Sequence, residues 1–374
     1  MDAAFYINLG IYILFIIILC VGFHKVKLFE SEITDAKTRF SIIIPFRNEA
    51  ENLPQLLQSL ALIDYPIHLF ELCFVNDASK DRSVEIINNF KKECALNISI
   101  TNNQRSTQSP KKDAITTAIN QSNFEWIVTT DADCLLPTNW LSILNSFILS
   151  NEVDFIASAV AYRTNTSFFE NFQALDFLSL QAITIGAFGI DKAFMCNGAN
   201  LAYKRLVFKE INGFEGNSNM ASGDDVFLLQ KVIQQKKFNV NYLKSKAHIV
   251  ETFPVNNLKD LFSQRIRWAS KTKAYRGYFP KFLALSVFLV NLSLVISLPF
   301  LAFGILKIET IIFIWIGKLL IDALPLYQTA QFMRQTQAFK YYALSAIIYP
   351  FFVVISALTS FFKTFEWKER TFNN

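Results

Sequence analysis

A chain of 374 residues that is 52% hydrophobic and 15% aromatic, with 38 Phe, is too apolar for an ordinary soluble domain. Its length allows one domain of roughly 230–250 residues beside several membrane spans. The net charge of +5 comes without a long basic run, which excludes the cationic stripe of a nucleic-acid binder.

Phe5–Phe23 is uncharged and long enough to cross the hydrocarbon core of a bilayer. No basic residue precedes it and no small-x-small site follows, so residues 1–24 read as a retained anchor rather than a cleaved leader. His24, Lys25 and Lys27 then place the following chain in the cytosol. Residues 25–255 read as one globular domain. Phe40–Pro45 is a β-branched run, and Glu51–Leu62 carries Leu53, Leu56, Leu57 and Leu60 at helical spacing. Leu69–Val75, Ile98–Thr101 and Trp126–Thr130 read as further strands, with helices at Ser83–Phe90 and Lys112–Asn120. This rhythm predicts a largely parallel sheet covered by helices, with ligands at the carboxyl ends of its strands.

Residues 256–280 read as an amphipathic interfacial helix and residues 281–374 as a membrane region of two or three spans. Phe282–Leu306 and Tyr341–Phe362 are uncharged. Between them, Ile311–Leu326 carries Lys318 and Asp322, which either pair inside the bilayer or mark a segment that does not span. Basic residues balance equally for two and three spans, and Pro350 permits a re-entrant last segment. Cys20, Cys73, Cys94, Cys134 and Cys196 form no C-x-x-C pair and read as free thiols in a reducing compartment. His24, His68 and His248 are scattered, against a zinc site or a Ser-His-Asp triad.

Acids cluster after strands. Asn76–Asp81 follows the second strand, where a carboxylate can accept the N–H of a uracil-type base; a turn with a helix cap would use the same residues. Asp131-Ala132-Asp133 follows the fourth strand. On an extended backbone both carboxylates face one side, and two hard oxygen ligands suit Mg²⁺ or Mn²⁺ bridging a diphosphate. A loop-capping pair is the plainer alternative. Ser222-Gly223-Asp224-Asp225 precedes a helical run, and adjacent acids there fit either a helix N-terminus or a general base, Asp225 supported by Asp224. In the helix Asn257–Lys273, Gln264, Arg267 and Trp268 share an arc, while Leu258, Phe262 and Arg265 fill the neighbouring sector that suits a membrane surface.

Taken in order, these motifs resemble family-2 glycosyltransferases with the GT-A fold over nearly the whole chain. Pro45–Glu49, PFRNE, is similar to the P-x-x-N-E opening and implies nucleotide contacts at Pro45, Asn48 and Glu49. VNDASKD resembles V-D-D-x-S-x-D, with Asn76 in place of the first acid and Asp77 keeping the base contact. PKKDAI resembles G-K-x-x-A-L, with Pro for Gly, and implies a donor contact at Lys111. TTDAD is similar to the metal motif, with Asp131 on donor and metal and Asp133 the direct ligand. CNGANLAY is similar to the segment near the acceptor and implies Asn197 and Gly198 there; GDD supplies the base, Asp225. QRIRW matches Q-x-x-R-W, implying Gln264 and Trp268 at the acceptor and Arg267 at the diphosphate. FEWKER looks like a W-K-G-R tail with Glu369 for Gly.

The resemblance implies a multi-pass protein of the bacterial inner membrane with a cytosolic α/β catalytic domain. Its implied reaction is inverting, metal-dependent transfer of a sugar from a nucleotide-sugar donor, UDP-linked by family habit, to a lipid-linked or saccharide hydroxyl acceptor in cell-envelope glycan or glycolipid synthesis. Membrane lipids are partners, nucleic acid is not, and a homo-oligomer stays open. A processive polysaccharide synthase, a nucleotidyltransferase and a non-catalytic membrane scaffold are the competing expectations.

Overall fold

The apolar run at Phe40 becomes an interior strand of the sheet. In a computed structural model, which describes residues 2–30, 34–217, 222–362, 365–367 and 370–372, the chain divides into two compact units. One comprises residues 1–26, 164–194 and 254–374, the other 27–163 and 195–253. Residues 164–194, inside the segment read as one globular domain, thus group with the apolar helices.

In chain order, α1 spans Asp2–Lys25 and β1 Phe40–Phe46. Next come α2 (Leu53–Ala61), β2 (Phe70–Asn76), α3 (Ser83–Glu93), β3 (Ile98–Asn102), α4 (Pro110–Gln121) and β4 (Trp126–Thr129). Pro54 and Pro110 sit in the first turns of α2 and α4, where a missing N–H costs nothing. Then follow α5 (Trp140–Ser150), β5 (Phe155–Ser158), β6 (Val160–Tyr162), α6 (Phe168–Gly189) and β7 (Leu201–Lys204). The chain continues through α7 (Arg205–Glu210), α8 (Asp224–Gln235), β8 (Val240–Leu243) and β9 (Val250–Thr252). It ends with α9 (Leu258–Ser270), α10 (Tyr278–Ala302), α11 (Ile308–Phe332) and α12 (Tyr342–Phe362).

Within the sheet unit, seven strands are ordered β3-β2-β1-β4-β7-β5-β8. β3, β2, β1 and β4 are parallel, and β2, β1 and β4 are buried along nearly their whole length, as the inner strands of a covered parallel sheet are. The sheet is largely parallel, as expected, and its one reversed strand is β7, which runs antiparallel between β4 and β5. The chain leaves β5 at the carboxyl end of the sheet, makes α6, and re-enters from that same end. β7 therefore points the other way.

Within the helical unit, α1, α10, α11 and the segment Thr336–Ser360 are each long and apolar enough to cross a membrane. α11 is continuous, and the Lys318 ammonium pairs with Asp322, whose other oxygen accepts the Tyr12 hydroxyl at 2.6 Å. A buried charge satisfied by a same-helix acid and a neighbouring phenol no longer forbids a membrane segment. α12 also continues through Pro350. α1 and α6 touch backbone to backbone: a Cβ on Gly22 would lie 2.1 Å from the Gly186 carbonyl oxygen, and one on Gly189 1.8 Å from the Gly22 carbonyl oxygen. Only glycine permits that approach. The tail strands Phe365–Trp367 and Arg370–Phe372 pair antiparallel, while Lys368 and Glu369 of the FEWKER motif lie outside the described residues.

Candidate active site

The carboxyl ends of β1, β2 and β4 carry the acids singled out in the sequence. After β1, the Arg47 guanidinium donates to the carbonyls of Asp77 and Ala78, both at 2.8 Å. Asn48, in the left-handed region at φ 51°, donates its N–H to Ser79 Oγ and accepts from the Lys80 N–H. Glu49 accepts from the Asn52 amide, and its own N–H reaches Ser83 Oγ. Pro45 pairs in register with Val75. The PFRNE and NDASKD segments are thereby laced into one platform. Asp77 is 5% exposed, and its Oδ1 accepts from Asn103 at 2.8 Å and from Arg105 Nε at 2.7 Å. Neither partner is readable from the sequence, because β3 delivers both only after the sheet assembles.

A second cluster centres on Lys111, in the first turn of α4. Its ammonium lies 2.7 Å from Asp131 Oδ1 and 3.2 Å from Asp224 Oδ2. Burial works against this charge, but Asp131, Asp224 and Asp225 outweigh it and hold the ammonium well above the usual lysine value. The β4–β7 register sets Thr129 opposite Leu201, and the Thr129 hydroxyl donates to the Gly198 carbonyl at 2.6 Å. The Gly198 N–H in turn donates to Asp225 Oδ2 at 3.2 Å, while the Val226 N–H donates to Oδ1 at 2.7 Å. A Cβ on Gly198 would stand 3.1 Å from Asp224 Oδ2 and 3.7 Å from Lys111 Nζ. Asn197 caps this short turn, accepting from the Ala199 N–H. Gly223, at φ 87°, turns the chain into α8, and Asp224 and Asp225 open that helix where its dipole favours anions.

Asp131 and Asp133 do not stand on an extended strand. β4 ends at Thr129 and the acids occupy a turn closed by the Cys134 N–H to the Asp131 carbonyl at 3.3 Å. The fixed alternation of a strand therefore does not set their relation. Burial pushes the Cys134 thiol up, helped by Asp133 and Asp131, and as a neutral thiol it donates to Asp133 Oδ1 at 3.7 Å. Among the described residues no group of three His, Cys, Asp or Glu converges on a metal position. Two half-buried carboxylates fit a hard cation that takes its other ligands from phosphate and water, with Lys111 as the resident competing cation at Asp131.

Gln264, Arg267 and Trp268 lie on α9, in the helical unit. There Arg265, read as part of a membrane-facing sector, is instead buried: it pairs with Asp176, which also accepts from the Tyr349 hydroxyl at 3.1 Å. Its guanidinium lies 4.1 Å from the Trp268 ring centroid and so holds one face of the indole.

Residues 41–211 match the family model Glycosyl transferase family 2. The chain carries a family-2 glycosyltransferase domain. Its fold is GT-A with added apolar helices: it superposes on the mannosyltransferase PcManGT from Pyrobaculum calidifontis, solved with GDP-Man and Mn²⁺, at TM-score 0.58 and 15% identity, covering 96% of both chains. Over 116 residues it is 28% identical to poly(ribitol-phosphate) beta-N-acetylglucosaminyltransferase TarS of Staphylococcus aureus, 31% of this chain but only 20% of that protein. Over 231 residues it is 24% identical to glycosyltransferase AglE of Haloferax volcanii, 61% of this chain and 70% of that one.

Proposed function

We propose that the protein is a membrane-bound, inverting glycosyltransferase that moves a sugar from a nucleotide-sugar donor to a hydroxyl of a lipid-linked or saccharide acceptor in the cell envelope. The observation that carries this reading is the meeting of Lys111, Asp131, Asp224 and the Gly198–Asp225 pair at the carboxyl ends of the strands. The platform around Asp77 would hold the nucleotide, with Pro45, Asn48 and Glu49 shaping it. Lys111 would meet the diphosphate. Asp225, its carboxylate oriented by the Gly198 and Val226 N–H groups, would take the proton of the attacking hydroxyl. Asn197 and Gly198 would border the acceptor, and Gln264, Arg267 and Trp268 would contribute from α9. Asp131 and Asp133 would hold Mg²⁺ or Mn²⁺, which neutralises charge on a leaving diphosphate; the fold neighbour contains Mn²⁺ with its donor. A single displacement needs no covalent sugar–protein link.

Incubating membranes that contain the protein with a panel of nucleotide sugars, and weighing the products, tests the reading. It expects one donor to give a nucleoside diphosphate and a glycosylated lipid or saccharide with a single added sugar. A ladder of products assigns polymer synthesis instead, and pyrophosphate release with any donor contradicts glycosyl transfer.

A further inference from the structure

At the end of the sheet opposite the acids, β1 and β4 begin and β7 finishes. β1 alone is 7 residues, so about 20 Å of strand separates the two ends. A cleft of about 740 Å³ opens there, lined by Lys37, Arg39, Lys204, Arg205, Lys209 and Glu125 among others. These are five cations against one carboxylate, in a chain whose net charge is only +5. Lys204 is tied to Asp154 at 2.9 Å and Arg205 to the Ser122 carbonyl. Among the described residues no carboxylate pairs with Lys37, Arg39 or Lys209, which are exposed, and Arg39 lies over the Phe124 ring at 5.8 Å. Unneutralised like charges around one concavity repel each other and lower the cost of bringing in an anion.

We propose that this cleft is a second ligand site, for a molecule carrying two or more phosphate groups. Three cations without acid partners match the charge of a di- or triphosphate, and the volume is that of a small-molecule site. Arg39 offers a forked donor suited to phosphate oxygens, while Lys37 and Lys209 act as point charges. The proposal does not rest on the reading of the strand-end acids.

Titrating inorganic tripolyphosphate calorimetrically into the full chain, in neutral detergent with EDTA, tests it. Wild-type protein is expected to bind, with affinity that drops as salt rises. Lys37→Ala/Arg39→Ala/Lys209→Ala should weaken binding at least tenfold, while Lys91→Ala/Lys92→Ala, exposed on α3 and away from both sites, leaves it unchanged. Competition by ATP assigns a free phosphate ester as the source, and competition by a short-chain anionic phospholipid assigns a lipid headgroup. No binding by wild-type protein, or equal binding by the triple variant, overturns the proposal.

Discussion

His248 shows how one side chain can record the state of the sheet unit. It is 2% exposed and stacked on Trp140 at 6.3 Å between ring centroids, and burial lowers its pKa to about 3 despite a backbone hydrogen bond with Trp140. The folded imidazole is therefore neutral where an unfolded chain, titrating near 6.5, takes up a proton. Between about pH 3 and 6.5 the unfolded state binds more protons, so stability rises with pH across that window and falls on acidification. The slope from this group is at most about 1.4 kcal/mol per pH unit. Denaturant midpoints from pH 4 to 7 should show it, and His248→Gln should flatten the profile. Equal profiles would mean that the ring is protonated in the fold. The acids of the candidate site were legible because Asp77 and Asp131 follow strands and Asp225 opens a helical run. Their cationic partners were not: Arg105 reaches Asp77 across strands, and the contacts of Lys111 with both Asp131 and Asp224 span three elements that only tertiary assembly joins. The turn at Asp131–Asp133 was legible only as one of two alternatives, because Asp, Ala and Asp suit a strand end and a turn alike.

Among the elements, α6 joins the helical unit from the middle of the chain and was the least readable. Asn171, Gln173, Asp176 and Gln181 are buried along it, so no clean apolar stripe announces the helix. Two of these polar groups bridge to other elements. Gln173 exchanges hydrogen bonds with the backbone of Val255, and Asp176 joins Arg265 to Tyr349. Its glycines meet α1 with no room for a side chain. Gly186→Leu should lower thermal stability in detergent by about 1–3 kcal/mol, the usual cost of overpacking, or prevent folding; Gly10→Leu, where a Cβ meets nothing within 4 Å, is the matched control. Equal melting of the two variants would show that α1 and α6 do not meet at the glycines. β1, β2 and β4 were readable because strands buried along nearly their whole length are short apolar runs, and the edge strand β3 because Ile98, Ile100 and Thr101 are β-branched. β7 was legible only as a motif, since four residues carry little periodicity.

On the scale of the whole molecule, the chain visits the apolar helices and the GT-A sheet alternately, with residues 164–194 belonging to the helical unit between β6 and β7. No sequence window shows that alternation, whereas the long apolar helices at the N-terminus and in the C-terminal third are plain from their length and composition. The chemistry proposed for the assembled protein hangs on Asp225 taking a proton from the acceptor. The most direct measurement compares Asp225→Asn with wild-type protein for donor binding and for single-turnover sugar transfer. The account predicts donor affinity within about threefold of wild type and transfer slowed by about 10²–10⁴-fold, the usual worth of a general base. Transfer at the wild-type rate, with the donor bound normally, would contradict it.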